Sequence, residues 1–192
     1  MTKAEIRIQI RDTLATQKYS MPILSEEICK SIIASEAYKK ADVVLAYMSL
    51  PDEVNLDDVI SDACANNKKV YIPRVVPDSS CMDFYEYDEA FIERGSFGIA
   101  EPVKTDSVFN PDCGDCGDDL SKINLLILVP GRAFTKDGAR LGRGKGYYDT
   151  YLARLQNIKA GSVVKAGVCF ECQIVENIPV EPHDFTMDMI FS

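Results

Sequence analysis

Apolar residues change their spacing several times along this chain, and each change marks an element. Over residues 3–17 (KAEIRIQIRDTLATQ), Ile6, Ile10 and Leu14 recur every four positions, the period of an amphipathic helix. A second helix is predicted over 25–38, with Ser25 as its cap, two glutamates in its first turn, and Ile28, Ile32 and Ile33 turned inward. DVVLAYM (42–48) abandons the helical period, and its β-branched apolar run suits a central strand covered on both faces. NLDDVISDACANN (55–67) reads as a helix capped by Asn55, and KKVYIPRV (68–75) as a strand ended by Pro73. MDFYEY (82–87) alternates, which predicts a more exposed strand.

Residues 88–121 are loop-rich, with Gly95, Gly98, Pro102, Pro111, Gly114 and Gly117. INLLILVP (123–130) is the most hydrophobic short run and predicts a fully buried strand. A turn over GRAFTKDGA leads into RLGRGKGYYD (140–149), and a helix is predicted from Tyr147 to Leu155. VVKAGVCF (163–170) and DMIF (188–191) read as late strands. Strand and helix alternate through most of the chain, so the expected fold is an α/β three-layer sandwich with a mostly parallel central sheet. No repeat, low-complexity tract or linker divides the sequence, which predicts a single domain over 1–192.

The 192 residues, 46% of them hydrophobic, suffice for a substantial core without disulfide or metal support. A formal net charge of -9 argues against non-specific nucleic-acid binding, which needs a basic face. No apolar run reaches the length of a membrane span, and the N-terminal MTKAEIRIQIRD is charged rather than signal-like. The cytoplasm is therefore the default location, with neither nucleic acid nor membrane as partner. Seven cysteines, an odd number without secretory context, predict reduced thiols. Two C-x-x-C pairs, Cys113/Cys116 and Cys169/Cys172, open an alternative reading as a thiol-based zinc or regulatory module. The pairs lie more than fifty residues apart, and neither is expected to open a helix after a strand as a redox pair does.

RLGRGKGYYD is the most unusual stretch. Between Pro130 and Gly146 there are five cations (Arg132, Lys136, Arg140, Arg143, Lys145) against one anion, Asp137, a local net charge of +4 in an acidic chain. Glycines let backbone N–H groups turn toward an anion, and the N-terminus of the following helix adds partial positive charge. A strand-loop-helix position with this charge predicts a polyphosphate site at the carboxyl end of the sheet. Neither common phosphate pattern fits. Ala139 stands where the P-loop needs glycine, and the spacing G-x-G-x-G is not the dinucleotide G-x-G-x-x-G. Asp149 fits a Mg²⁺ ligand beside substrate phosphates, or simply an acidic residue in a helix's first turn.

The segment LVPGRAFTKDGARLGRGKGYYDTYL (128–152) resembles the 5-formyltetrahydrofolate cyclo-ligase family. The resemblance extends to Lys3 and Arg7, Ser49 to Val54, Ile72 to Arg74, Gly98 to Pro102 and Ile178 to Asp188. It implies ATP-dependent cyclisation of 5-formyltetrahydrofolate to 5,10-methenyltetrahydrofolate, through phosphorylation of the formyl oxygen, with Mg²⁺ as cofactor. Carried over by position, the ATP contacts are the helix segment Lys3, Ala4, Glu5, Ile6 and Arg7 together with Arg140, Leu141, Gly142, Arg143, Gly144, Lys145, Gly146, Tyr147 and Tyr148. Met48, Glu53 and Arg143 to Tyr147 would hold the folate, Arg143 and Lys145 would be catalytic, and Asp149 and Asp184 would hold Mg²⁺. Arg74 and Glu101 fall near the site through neighbouring motifs, while the lone histidine, His183, is given no role. Two residues depart from the pattern: Arg132 stands where an aliphatic residue is usual, and Ala100 where proline is. A monomer acting on a reduced folate and ATP is expected.

Overall fold

The computed structural model describes residues 1–76, 79–95, 100–109, 122–156, 158, 160–182 and 184–192. Helix α1 (Lys3–Thr16) opens with a capping box. The Thr2 hydroxyl accepts from the Glu5 N–H while the Glu5 carboxylate accepts from the Thr2 N–H at 2.7 Å. Ile6, Ile10 and Leu14 form its buried stripe. Helix α2 (Met21–Ala34) begins earlier than the pattern predicts, with Ser20 at its cap position and Pro22 in the first turn, where a missing N–H costs nothing. Ser25 is not its cap. It is buried, and its Oγ accepts the Asn55 N–H at 3.1 Å. The helix also stops short of residue 38, because Ser35 turns extended (ψ 150°) and caps a separate helix α3 (Glu36–Lys40) by accepting the Tyr38 N–H at 3.1 Å.

Strand β1 (Val43–Leu45) is followed by α4 (Asp57–Ala65), whose cap position is Leu56, without a side-chain bond, rather than the expected Asn55. Asn55 sits one residue earlier, and its Oδ1 accepts the Asp57 N–H at 2.7 Å. Strand β2 (Lys69–Val75) runs through Pro73 rather than ending there. Residues 70 and 76 exchange bonds with the next strand, so Pro73 points its nitrogen toward the β1 side, where β1 has already ended at Leu45. Then come β3 (Met82–Glu86), β4 (Ile92–Arg94), β5 (Ala100–Pro102) and β6 (Val108–Phe109). Three of these fall in the region predicted as loop, since strands of two or three residues carry no readable period. Next are β7 (Asn124–Pro130), a small hairpin of β8 (Ala133–Phe134) and β9 (Arg140–Leu141), helix α5 (Tyr147–Leu155), β10 (Ser162–Val168) and β11 (Met189–Phe191). The predicted GRAFTKDGA turn is therefore a hairpin.

Among the described residues the main sheet has seven strands in the order β11-β10-β7-β1-β2-β3-β6, parallel from β11 to β2 and antiparallel at β3 and β6. The period of two sorts the central strands onto two cores. Val44, Leu126 and Leu128 face α1, α2 and α4, while Val43, Leu45, Leu125, Ile127 and Val129 face α5. Covering on both faces explains the unbroken apolar runs of β1 and β7. The chain leaves β1 for β2 in one direction and returns to β7 on the other side, so a topological switch point lies between the carboxyl ends of β1 and β7. Among the described residues no helix is long and apolar enough to cross a membrane.

Candidate functional site

Two loops leave the sheet at that switch point. After β1 the chain turns through Tyr47 and Met48. The Tyr47 hydroxyl donates to the Val54 carbonyl at 3.0 Å and the Glu53 carboxylate accepts the Leu50 N–H at 3.0 Å, which closes the loop with Glu53 facing the cleft. After β7 the Gly131–Arg132 turn is clamped by Gln173, a buried side chain. Its Nε2 donates to the carbonyls of Gly131 (2.8 Å) and Arg132 (3.1 Å), and its Oε1 accepts the Phe170 N–H at 2.9 Å. The clamp has no signature in the sequence, because the residues it joins are some forty positions apart.

The β8–β9 hairpin carries the chain back so that Arg140 is buried, not a loop cation. Its Nη1 donates to the Pro130 carbonyl at 3.2 Å, its Nη2 to Asp149 Oδ1 at 2.8 Å, and its guanidinium lies over the Tyr148 ring at 5.6 Å. Beyond it, Gly144 (φ +102°) and Gly146 (φ +74°) adopt the left-handed backbone that side chains disfavour, and Gly146 sits at the cap position of α5. From α1, outside the cavity lining, Arg7 Nε donates to the Gly142 carbonyl at 2.8 Å, tying that helix to the glycine loop.

These elements enclose a cavity of about 490 Å³, within the range of small-molecule sites. Of the residues singled out in the sequence, Met48, Glu53, Glu101, Arg140, Gly142, Arg143, Lys145, Gly146, Tyr147, Tyr148 and Asp149 line it. Leu50, Pro73, Pro130 and Gly131, which lie within the quoted motifs but were given no role, also line it, as do Tyr47, Val75 and Met82, which lie outside those motifs. Several sit at the carboxyl ends of β1, β2 and β7, a position that could have flagged them. A larger concavity of about 570 Å³ lies at the amino ends of the strands, lined by Lys39, Lys40, Lys68, Lys69 and Lys122. The smaller cavity is the candidate site, since it lies where loops converge and the glycine loop faces inward.

Asp52, Glu53 and Arg143 form a paired cluster in the cleft. Arg143 Nη2 lies 2.5 Å from Asp52 Oδ1 and 2.8 Å from Glu53 Oε1, and Asp52 also takes an ion pair from Arg132 Nη1. Burial alone would push the Asp52 carboxyl up, but hydrogen bonds from Arg143 and Arg132 hold it below the ordinary aspartate value. Burial, then the Glu53 charge, push the Tyr148 phenol well up, so it stays protonated. Arg140 Nε and Tyr148 Oη are buried without a hydrogen-bond partner among the described residues, and both side chains line the cavity. Such orphans cost about 1–3 kcal/mol each, which a polar ligand would recover. Lys145 is exposed at the rim and has no ion-pair partner among the described residues.

Other predicted residues lie apart from the cavity lining. Leu141 and Ile6 are core residues, Glu5 is the capping-box carboxylate, Ala4 is exposed, and Gly144 lies beside Arg7. Lys3 Nζ binds Asp184 at 2.7 Å and Glu181 at 2.6 Å, at the side of α1. Burial opposes the Lys3 charge, but these two acids outweigh it and raise its pKa. Asp149 and Asp184 thus each carry their own cation. No cluster of three or more histidine, cysteine or acidic side chains suited to a metal occurs among the described residues. Arg74 pairs with Glu93 at 2.5 Å. His183, Cys113 and Cys116 lie outside the described residues.

Contrary to expectation, Cys169 and Cys172 do follow a strand and straddle the start of a short helical turn (Glu171–Gln173). Burial pushes the Cys169 thiol far up, opposite to the low value a reactive thiol needs.

An open α/β sheet whose switch-point loops bring cations, left-handed glycines and a helix N-terminus into one cleft defines a protein suited to anionic small molecules. More specifically, the chain belongs to the 5-formyltetrahydrofolate cyclo-ligase family, whose sequence profile matches residues 1–192. It is 33% identical to the mouse 5-formyltetrahydrofolate cyclo-ligase over 194 residues, covering 98% of this chain and 90% of the relative. It is also 33% identical to a probable 5-formyltetrahydrofolate cyclo-ligase of Schizosaccharomyces pombe, covering 86% and 82%. Among solved structures, the 5,10-methenyltetrahydrofolate synthetase of Aquifex aeolicus superposes with a TM-score of 0.75 at 28% identity, covering 99% of this chain and 89% of that one. The resemblance seen in the motifs thus holds along the whole chain, and the α/β fold with its mostly parallel sheet is as expected.

Proposed function

We propose that this chain converts 5-formyltetrahydrofolate to 5,10-methenyltetrahydrofolate at the expense of ATP, releasing ADP and phosphate. The observation that carries the reading is the cavity itself. It brings a carboxylate and apolar wall from the β1 loop (Glu53, Met48) together with the cations of the glycine loop (Arg143, Lys145), Glu53 and Arg143 being ion-paired at their junction. One side suits the N–H donors and flat ring of a pterin, and the other suits a triphosphate.

The chemical obstacle is an unreactive formamide oxygen. In the proposed reaction it attacks the γ-phosphorus of ATP and the bond to ADP breaks, leaving an iminium phosphate. The neighbouring side-arm nitrogen then attacks the formyl carbon and gives up its proton, and phosphate leaves with the former formyl oxygen. Such transfers depend on positioning and on cations that neutralise the moving phosphoryl group. Arg143 and Lys145 take that role, with the backbone from Gly142 to Gly146 and Arg7 from α1 around the phosphates. Lys3 reaches the same phosphates once released from Asp184. Mg²⁺ usually binds one or two carboxylates together with substrate phosphates, so Asp149, which lines the cavity, fits that donor set without a separate acidic cluster. When bound, the ion would neutralise phosphate charge; Asp184, which lies apart from the cavity lining and is paired with Lys3, would be its second protein ligand only on leaving that pair. The chain acts as a cytoplasmic single-domain monomer.

Supplying 5-formyltetrahydrofolate, ATP and Mg²⁺ and following the absorbance of the methenyl product tests this directly. Product should form only with ATP, and Lys145→Ala should lower kcat by roughly 10²-fold while leaving the thermal melt unchanged. Folded protein that gives no ATP-dependent product overturns the proposal.

A further inference from the structure

Arg143 is already occupied by protein carboxylates. Its Nη2 is 2.5 Å from Asp52 Oδ1, and its Nε donates to Glu53 Oε1 at 2.9 Å. The other oxygen of Asp52, Oδ2, is taken by Arg132. The two arginines that share this carboxylate differ in freedom. Arg132 is held through its backbone, with its N–H on the Leu141 carbonyl at 2.6 Å and its own carbonyl on Gln173. Its side chain is 15% exposed. Arg143 is 33% exposed and stands between Gly142 and Gly144, the second of which has a positive φ.

We infer that Asp52 is an internal stand-in for the substrate phosphate, competing for Arg143, and that Arg132 sets the strength of that competition by sharing the carboxylate. This makes Asp52 and Arg132 positioning residues, and it rests on the reading of Arg143 as a phosphate-binding cation. A carboxylate paired on one oxygen attracts a second guanidinium less. It is also not stranded when that guanidinium leaves, whereas a half-buried anion left with no partner is costly. Arg132 therefore lowers the cost of moving Arg143 from Asp52 to an incoming phosphate. The same movement frees Glu53 from Arg143, so its carboxylate becomes available to the other substrate. Apparent nucleotide affinity then depends on the fraction of molecules in which Arg143 is disengaged.

Titration calorimetry of the full chain with a non-hydrolysable ATP analogue and Mg²⁺ tests the exchange on wild type, Asp52→Asn, Arg132→Leu and the double variant. Asp52→Asn should bind roughly two- to fivefold tighter and Arg132→Leu weaker by a similar factor, as befits partly exposed pairs. The double variant should match Asp52→Asn, because Arg132 acts only through Asp52. Simple through-space electrostatics gives the same signs for the single variants, but it returns the charge-balanced double variant to wild-type affinity. That result, or single variants that shift affinity in the same direction, overturns the inference. Thermal melts check folding, with Arg132→Gln replacing the leucine variant if the turn is disturbed. A wild type that binds no analogue overturns the proposed function and this inference with it.

Discussion

Arg140 and Arg143 stand three positions apart in one motif, yet the fold uses them differently. Arg140 is sealed between the Pro130 carbonyl, Asp149 and the Tyr148 ring, so its charge holds the glycine loop to the end of β7. Arg143 projects into the cleft and, among the described residues, is held by the carboxylates of Asp52 and Glu53. Nothing in the spacing R-L-G-R separates them; the β8–β9 hairpin, which turns Arg140 inward, does. The glycines were legible because positive φ has few other solutions, whereas Gln173 and Asp52 were not, since their partners come from distant segments. Asp52 also gives a pH signature. Its folded pKa lies below the unfolded value of about 3.9, so its contribution to stability is full above that value and disappears as pH falls through the folded one. The difference in melting temperature between wild type and Asp52→Asn should therefore be constant from about pH 7 to 5 and narrow below about pH 4. A difference that still widens at pH 3 contradicts the assignment.

At the scale of elements, those with sustained periodicity were readable: α1, α5 and β7 lie within a residue or two of their expected bounds. Element ends were less legible where one side chain decides them. Ser35 ends α2 by turning extended, donates back to the Ile32 carbonyl at 2.7 Å, and caps α3 through the Tyr38 N–H. Two helices at this point look like one in the sequence because Ile28, Ile32 and Tyr38 all point inward. Ser35→Ala should cost about 1 kcal/mol, the usual value of such a cap, measured as a lower urea midpoint with unchanged slope. An unchanged midpoint would mean that the cap contributes nothing in solution. Strands β4, β5, β6, β8 and β9 escaped the sequence reading because two- or three-residue strands owe their existence to pairing rather than to local preference.

For the molecule as a whole, the alternation of β7 between two cores is the feature on which the layered architecture rests. Leu126 and Ile127 are adjacent, fully buried and on opposite faces. Leu126→Ala and Ile127→Ala should each cost about 2–5 kcal/mol, lowering Tm by about 2–4 °C per kcal/mol in a chain of this size. If one cost under about 1 kcal/mol, that face would not be packed as described. The docking of α1 has a different kind of consequence. Its apolar stripe rests on β8 and the turn at 171–173, Arg7 reaches Gly142, and Lys3 reaches Asp184, 181 positions later. A ribosome adding about 5–20 residues per second takes roughly 9–36 s to cover that interval. The turn at 171–173 and Asp184 are made late in that interval, so α1 waits for part of its docking surface long after α2 and β1, which share its core, have been made.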